Sequence, residues 1–306
     1  MGVILSILGL AEPKLSLRPQ KVVVGTVYGI QITLAYLLNF LVSTFAVLMI
    51  VLLEFGTIPA VQQGFYCGDP LISHKYTGDT IHPVTLGLTA PALVIVMVLV
   101  TELLAHQSIK QINWHAVVFY VSEASVGATL TLLVTSIGKV LVGEHRPHFL
   151  DTCQPDTAVN CSIGTFIETF TCKSTEFAPS FLVDSSLSFP SGHSSIAWYI
   201  GIFSTYVVHV RMTTVNSGYI MRPFLISFCL TWSMVCSLSR ITDRRHHWWD
   251  VLAGTVLGIV FAAYTIKVMH EKIKENNVPI CNICLEREVP LNVNGVNSRT
   301  NVGFEL

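Results

Sequence analysis

The chain has 306 residues, of which 51% are hydrophobic and only 12% charged, with a mean hydropathy of +0.59. Soluble domains carry about 25% charged residues, so this composition points to an integral membrane protein. A net charge of −1, with no glycine-rich phosphate loop, argues against a nucleic-acid or nucleotide binder.

Met1 to Leu10 is apolar but too short to span a bilayer. It lacks a clear cleavage site, so it does not read as a signal peptide. The opening M-G-V-I-L-S fits the myristoylation pattern with Gly2 and Ser6; an amphipathic surface segment accounts for the same residues. Six apolar runs follow, at about 34–53, 84–105, 115–138, 190–210, 223–239 and 250–269. A helix needs roughly 20 residues to cross the hydrocarbon; barrel strands are shorter and alternate. The expectation is an all-α membrane protein of six transmembrane helices. Residues 1–30 form an N-terminal segment, 31–270 the membrane domain and 271–306 a polar tail that reads as disordered. Cys281 and Cys284 in that tail supply two zinc ligands where a structural site needs four. A reduced or palmitoylated pair remains the alternative.

Six spans place both termini on one side and the loops 54–83, 139–189 and 240–249 on the other. Of the 18 Lys and Arg, seven fall in those loops: Lys75, Lys139, Arg146, Lys173, Arg240, Arg244 and Arg245. The other 11 (18 less 7) lie on the termini side. Basic loops stay cytoplasmic, so the termini are expected inside. Two further cues agree. Asn160-Cys161-Ser162 is a glycosylation sequon, and Cys67, Cys153, Cys161 and Cys172 also fall in the outer loops. An oxidising compartment favours disulfides there. Four cysteines allow three complete connectivities, and the sequence does not choose. Cys229 and Cys236 fall within the fifth run and read as packing residues.

Parity also gathers the chemistry. Lys139 ends the third run and Arg146 follows it. Pro190-Ser191-Gly192-His193 opens the fourth from the same side. Arg240 ends the fifth, and His246 to Asp250 opens the sixth. Ionisable groups at such positions carry function by default. Three cations suit phosphate oxygens, and a helix start with free N–H groups is an anion site. Each cation alone could instead snorkel to headgroups. His246 and Asp250 are four apart, so they share a helix face if the sixth helix starts there. A carboxylate on one imidazole nitrogen makes the other a better nucleophile. His247 is three from Asp250, so spacing does not decide between the two histidines. His193 could protonate the leaving oxygen. A metal site is the rival for three histidines and an aspartate, weakened by the adjacent cations.

These residues resemble the lipid phosphate phosphatases of the type 2 phosphatidic acid phosphatase superfamily. Its signatures K-x6-R-P, P-S-G-H and S-R-x5-H-x3-D read here as Lys139 to Arg146-Pro147, Pro190 to His193, and Ser239-Arg240 to His246 and Asp250. R-P-H-F-L-D-T-C at 146–153, S-F-P-S-G-H-S-S at 188–195, H-H-W-W-D-V-L-A-G at 246–254 and G-F-Y-C-G-D in the first outer loop are similar to the animal branch. The resemblance implies a metal-independent phosphatase without a cofactor. His246 would be the nucleophile forming a phosphohistidine, Asp250 its orienting partner and His193 the acid. Lys139, Arg146, Ser191, Gly192 and Arg240 would bind phosphate. The implied substrates are phosphatidate, lysophosphatidate, sphingosine 1-phosphate and ceramide 1-phosphate, met at the extracellular or lumenal face. The plasma membrane is the expected site, with endoplasmic reticulum or Golgi as alternatives, and a homo-oligomer is compatible. Glu144-His145 and Arg244-Arg245 occupy variable positions of the signatures and bear on headgroup preference. The competing readings are a catalytically silent scaffold, a headgroup phosphotransferase and a transporter. The intact histidines argue against the first, and charges at span ends rather than mid-span argue against the last.

Overall fold

The computed structural model describes residues 23–27, 30–54, 57–106, 112–212 and 214–276. Gly2, Cys281 and Cys284 lie outside the described residues. The chain divides at Phe45 and Ala46 into two units. In the first, β1 (Val23–Val27) pairs antiparallel with β2 (Ile30–Thr33), and α1 (Leu34–Glu54) begins. This hairpin crosses the boundary that the sequence reading places between an N-terminal segment ending at residue 30 and a membrane domain beginning at 31. Its β-branched valines, isoleucines and threonines favour pairing over helix.

The second unit holds the rest of α1, then α2 (Pro83–His106) and α3 (Trp114–Val142), followed by three more long helices. Before those come α4 (Phe149–Cys153) and α5 (Pro179–Asp184), which are short. The long ones are α6 (Gly192–Arg211), α7 (Thr214–Thr242) and α8 (Trp248–Asn276). Each apolar run therefore becomes a helix. α3 runs one turn past the expected end of its run, so Lys139 is helical. α8 continues to Asn276, beyond the expected tail boundary at 271. α7 is broken at Gly218, where φ is 76°.

Five of these helices, α1, α2, α3, α7 and α8, are long and apolar enough to cross a membrane. α6 has the length, since 20 residues make a helix of about 30 Å. Its serines, threonines and histidines lower its hydropathy below the others. Such a helix needs neighbours rather than lipid around it. It touches α2, α3, α7 and α8, and 13 of its 20 residues are buried. Leu88, Val118, Phe224 and Val260 of the surrounding helices are exposed, as suits surfaces solvated by acyl chains.

Hydrogen bonds tie α6 to its neighbours. Tyr199 Oη donates to the Ala124 carbonyl at 3.0 Å, and Ser233 Oγ to the Ala197 carbonyl at 2.7 Å. Gly254 and Gly258 allow α8 to press on α6. A Cβ at Gly258 would collide with the Ser195 carbonyl oxygen and lie 2.9 Å from the Tyr199 nitrogen. Both obstacles are backbone, so nothing can swing aside. Gly258→Ala should cost about 1–3 kcal/mol. That loss reads as a lower Tm in detergent; an unchanged Tm would show that the two helices can part freely.

The segments between α1 and α2 and between α3 and α6 are folded rather than plain loops. β3 (Phe65–Tyr66) pairs antiparallel with β4 (Phe166–Ile167). Phe65, Ile72, Phe149, Cys153 and Phe170 form a small core of their own. Cys67 is bonded to Cys161 and Cys153 to Cys172, one of the three connectivities left open by the sequence. Asn160 is exposed at the end of the 3-10 turn Asp156–Asn160.

Candidate active site

Three local devices bring the signature residues together. At the end of α3, Gly143 takes a left-handed conformation (φ 65°) and its N–H closes on the Lys139 carbonyl at 2.9 Å. Glycine fits there because positive φ carries no side-chain penalty. The chain then turns, and Arg146 N–H donates to the Ser185 carbonyl at 2.9 Å. At the start of α6, Ser191 is the N-cap, and its own N–H donates to the Asp250 carbonyl at 3.1 Å. That bond ties the start of α6 to the start of α8.

The third device lies between α7 and α8. Arg245 N–H and His246 N–H both donate to the Arg240 carbonyl, at 3.0 and 3.1 Å. α8 begins only at Trp248, so His246 precedes the helix. The expectation that His246 and Asp250 share a helical face is corrected here. Asp250 instead occupies the third helical position and its Oδ2 accepts from His247 N–H at 2.9 Å. This is the acidic half of a capping box. It brings Oδ2 to 3.6 Å from His246 Nδ1. Ser188 Oγ donates to the same Oδ2 at 2.6 Å and lies 3.4 Å from His246 Nδ1.

The geometry separates the two histidines. His247 Nδ1 is also near Asp250 Oδ2, at 3.4 Å. Its ring, however, stacks on Trp249 with centroids 4.5 Å apart and faces Glu144. Only His246 lines the main cavity. Burial, then the charge of Arg146, hold the His246 imidazole well below its usual pKa, so the ring is neutral.

The cations are held by carboxylates distant in sequence. Arg146 Nη2 donates to Asp184 Oδ1 at 2.5 Å, and Arg240 Nη2 to Asp79 Oδ1 at 2.7 Å. Arg245 reaches both acids, with Nε 3.1 Å from Asp79 Oδ1 and Nη2 3.0 Å from Asp184 Oδ2. Lys139 Nζ lies 3.5 Å from Glu54 Oε1. Burial pushes the Asp79 carboxyl up, but Arg245 and Arg240 outweigh it and hold the group below the usual range. Arg146 is lowered by burial to about 10 and stays charged at neutral pH. His193 Nε2 and Arg240 Nη1 both lie within reach of the Ile81 carbonyl, at 3.1 and 3.2 Å. A carbonyl only accepts, so His193 Nε2 carries a proton and Nδ1 is left for other work.

These groups line one end of a cavity of about 570 Å³. Lys139, Arg146, Gly192, His193, Arg240 and His246 are all part of its wall. Ser191 is not; its hydroxyl is drawn into the helix cap. The other end is apolar, with Leu86, Ala90 and Val94 of α2, Ala128 of α3, and Ile196 and Ile200 of α6. Gly87 and Pro91 of α2 and Ser125 of α3 line the cavity and are exposed. The cavity thus reaches the outer surface of the bundle between α2 and α3.

Sequence reasoning gave no role to Asp79, Asp184, Ser188 or the Ile81 carbonyl. Ser188 had one signal, its place in S-F-P-S-G-H-S-S. The two aspartates had none, because each lies in a polar loop among many.

A family model of the PAP2 superfamily matches residues 120–274, just over half of the chain. Human "Phospholipid phosphatase 2" is 33% identical over 214 residues, covering 67% of this chain and 72% of that protein. Rat "Phospholipid phosphatase 1" is 33% identical over 214 residues, covering 67% and 74% respectively. A Drosophila melanogaster relative is 29% identical over 243 residues, which span 71% of this chain and 63% of that protein. No solved structure matches the chain. The chain belongs to the PAP2 superfamily.

Proposed function

We propose that this protein is a membrane-embedded lipid phosphate phosphatase acting through a phosphohistidine. One observation carries the reading. A single cavity joins a cluster of cations and histidines to an apolar trough that opens on the bundle surface. A water-soluble phosphate ester has no use for the trough, whereas a lipid phosphate fills both ends. The relatives named phospholipid phosphatases support the same substrate class.

In this mechanism the His246 Nδ1–H faces Asp250, leaving Nε2 with its lone pair. Nε2 attacks phosphorus and the bond to the lipid oxygen breaks. Bound phosphate charge brings a second proton to His193, and Nδ1 of the resulting imidazolium gives it to that departing oxygen. Water, deprotonated by His193, then attacks the phosphohistidine, releasing inorganic phosphate and restoring His246. Lys139, Arg146 and Arg240, with the Gly192 backbone N–H at the start of α6, stabilise the charge on the transferring group. Ser191 contributes by capping the helix. The chemistry asks for no metal. Phosphatidate, lysophosphatidate, sphingosine 1-phosphate and ceramide 1-phosphate are the substrates that fit.

The six long helices correspond to six crossings, with both termini cytoplasmic and the site at the extracellular or lumenal face, most simply at the plasma membrane. Asn160 then carries glycan. Glycosidase should speed the migration of the wild type and leave Asn160→Gln unchanged; a wild type that never shifts would count against this sidedness.

The deciding experiment is phosphate release from those four lipids by purified protein in excess EDTA. Turnover should persist, and vanadate should inhibit it. A strict need for added divalent metal, or equal turnover of a soluble phosphate ester, would overturn the reading.

A further inference from the structure

Glu54 closes α1 and is the single charged side chain of that helix. It stands in the last turn, where the helix carbonyls already carry partial negative charge. A cation suits that position and an acid is disfavoured there, yet α1 has no basic residue in the turn to offset it. The carboxylate lies beside Lys139, and both residues form part of the cavity wall.

Its present bonds leave capacity to spare. Ser136 Oγ donates to Glu54 Oε1 at 2.8 Å, and Lys139 Nζ lies 3.5 Å from the same oxygen. A close ammonium–carboxylate pair sits at about 2.7–2.9 Å, so Lys139 is loosely held and available to phosphate. Among the described residues Oε2 has no hydrogen-bond partner, and the side chain is 46% exposed. Asp184 is the other acid of the cavity wall, and Arg146 and Arg245 hold it. Glu54 is therefore the carboxylate that a substrate cation can reach.

We propose that Glu54 recognises the ammonium group of a phosphorylated amino alcohol, so that the chain favours sphingosine 1-phosphate over lysophosphatidate. This preference rests on the phosphatase reading of the cavity and on Lys139 as a phosphate ligand. In sphingosine 1-phosphate the amine stands four bonds from phosphorus, a reach of roughly 4–5 Å. Lysophosphatidate carries a hydroxyl at the same place, and ceramide 1-phosphate an uncharged amide. With the phosphate on Lys139, that place comes within reach of the Glu54 carboxylate and the carbonyl end of α1. Both favour positive charge. A hydroxyl gains less there, and an amide has no charge to offer. Glu54 makes and breaks no bond of the substrate; it decides which headgroup is held.

The test measures kcat/KM for sphingosine 1-phosphate, its N-acetyl derivative and lysophosphatidate in mixed micelles, with the full chain and with Glu54→Gln. The rise in Tm that each lipid produces is read in parallel, in chains that also carry His246→Ala so that nothing is consumed. Glutamine keeps an acceptor for Ser136 and removes the charge. The wild type should favour sphingosine 1-phosphate over both other lipids. In Glu54→Gln the ratio of sphingosine 1-phosphate to lysophosphatidate should fall about tenfold, near the lower end for a hydrogen bond to a charged group, because water screens a half-exposed pair. N-acetylation should cost the wild type a similar factor and the variant little. An unchanged ratio overturns the role of Glu54. An equal fall on all three lipids also overturns it, since Glu54 would then only support Lys139. A wild type that hydrolyses none of them overturns the phosphatase reading, while the Tm shifts still decide whether Glu54 tells an amine from a hydroxyl.

Discussion

His246→Ala should abolish turnover, by roughly 10⁴-fold or more, the scale seen when a covalent nucleophile is removed. The ring lies in the cavity wall with its Nδ1 facing Asp250 and Ser188, so alanine deletes the reacting atom and little packing. Acid quench of the wild type during turnover should trap a phosphorylated protein, and that species should vanish in His246→Ala. His247→Ala should retain it, because Asp250 caps α8 through the backbone N–H of residue 247 and not through its ring. The opposite pattern, with trapping lost only in His247→Ala, would move the nucleophile by one residue.

Arg240→Lys should cost about 2–4 kcal/mol of transition-state stabilisation, or about 30- to 900-fold, the scale for one preorganised donor. The guanidinium spans two anchors at once, Asp79 through Nη2 and the Ile81 carbonyl through Nη1. An ammonium is a point charge and cannot hold both while addressing phosphate. His193 shares the Ile81 carbonyl, so the substitution also loosens the proton donor. The loss should fall mainly on kcat, because the fork tightens on the transferring group rather than on the bound ester. Steady-state kinetics on a short-chain lysophosphatidate would show it; full activity would remove Arg240 from the phosphate clamp.

The sequence exposed the helices because a bilayer imposes their length. All six runs became helices; α7 begins nine residues before its run and α8 ends seven residues past its own, while the other ends moved by about a turn or less. Span parity was also enough to bring Lys139, Arg146, His193, Arg240 and His246 to one cavity. What stayed hidden depended on contacts between loops. Hydropathy says nothing about which aspartate in a polar loop turns inward, so Asp79 and Asp184 could not be singled out. Nor could spacing separate His246 from His247, since both approach Asp250 within 0.2 Å of each other. The choice came from the turn before Trp248, which sends one ring to the cavity and the other to Trp249. α6 was read as a span like the others, and the structure shows what lets so polar a run be helical here: α2, α3, α7 and α8 surround it.

The carboxylates that hold the arginines have a practical consequence for engineering. Asp79 reaches Arg240 and Arg245 from the segment before α2, and Asp184 reaches Arg146 and Arg245 from the segment before α6. The Cys67–Cys161 bond ties the same two segments together. A chimera that borrows the three signature stretches from a relative, but keeps its own segments between α1 and α2 and between α3 and α6, would import arginines without their anchors. Grafting for a new headgroup preference therefore has to move residues 57–82 and 144–189 as one cassette, with the helix ends they clasp.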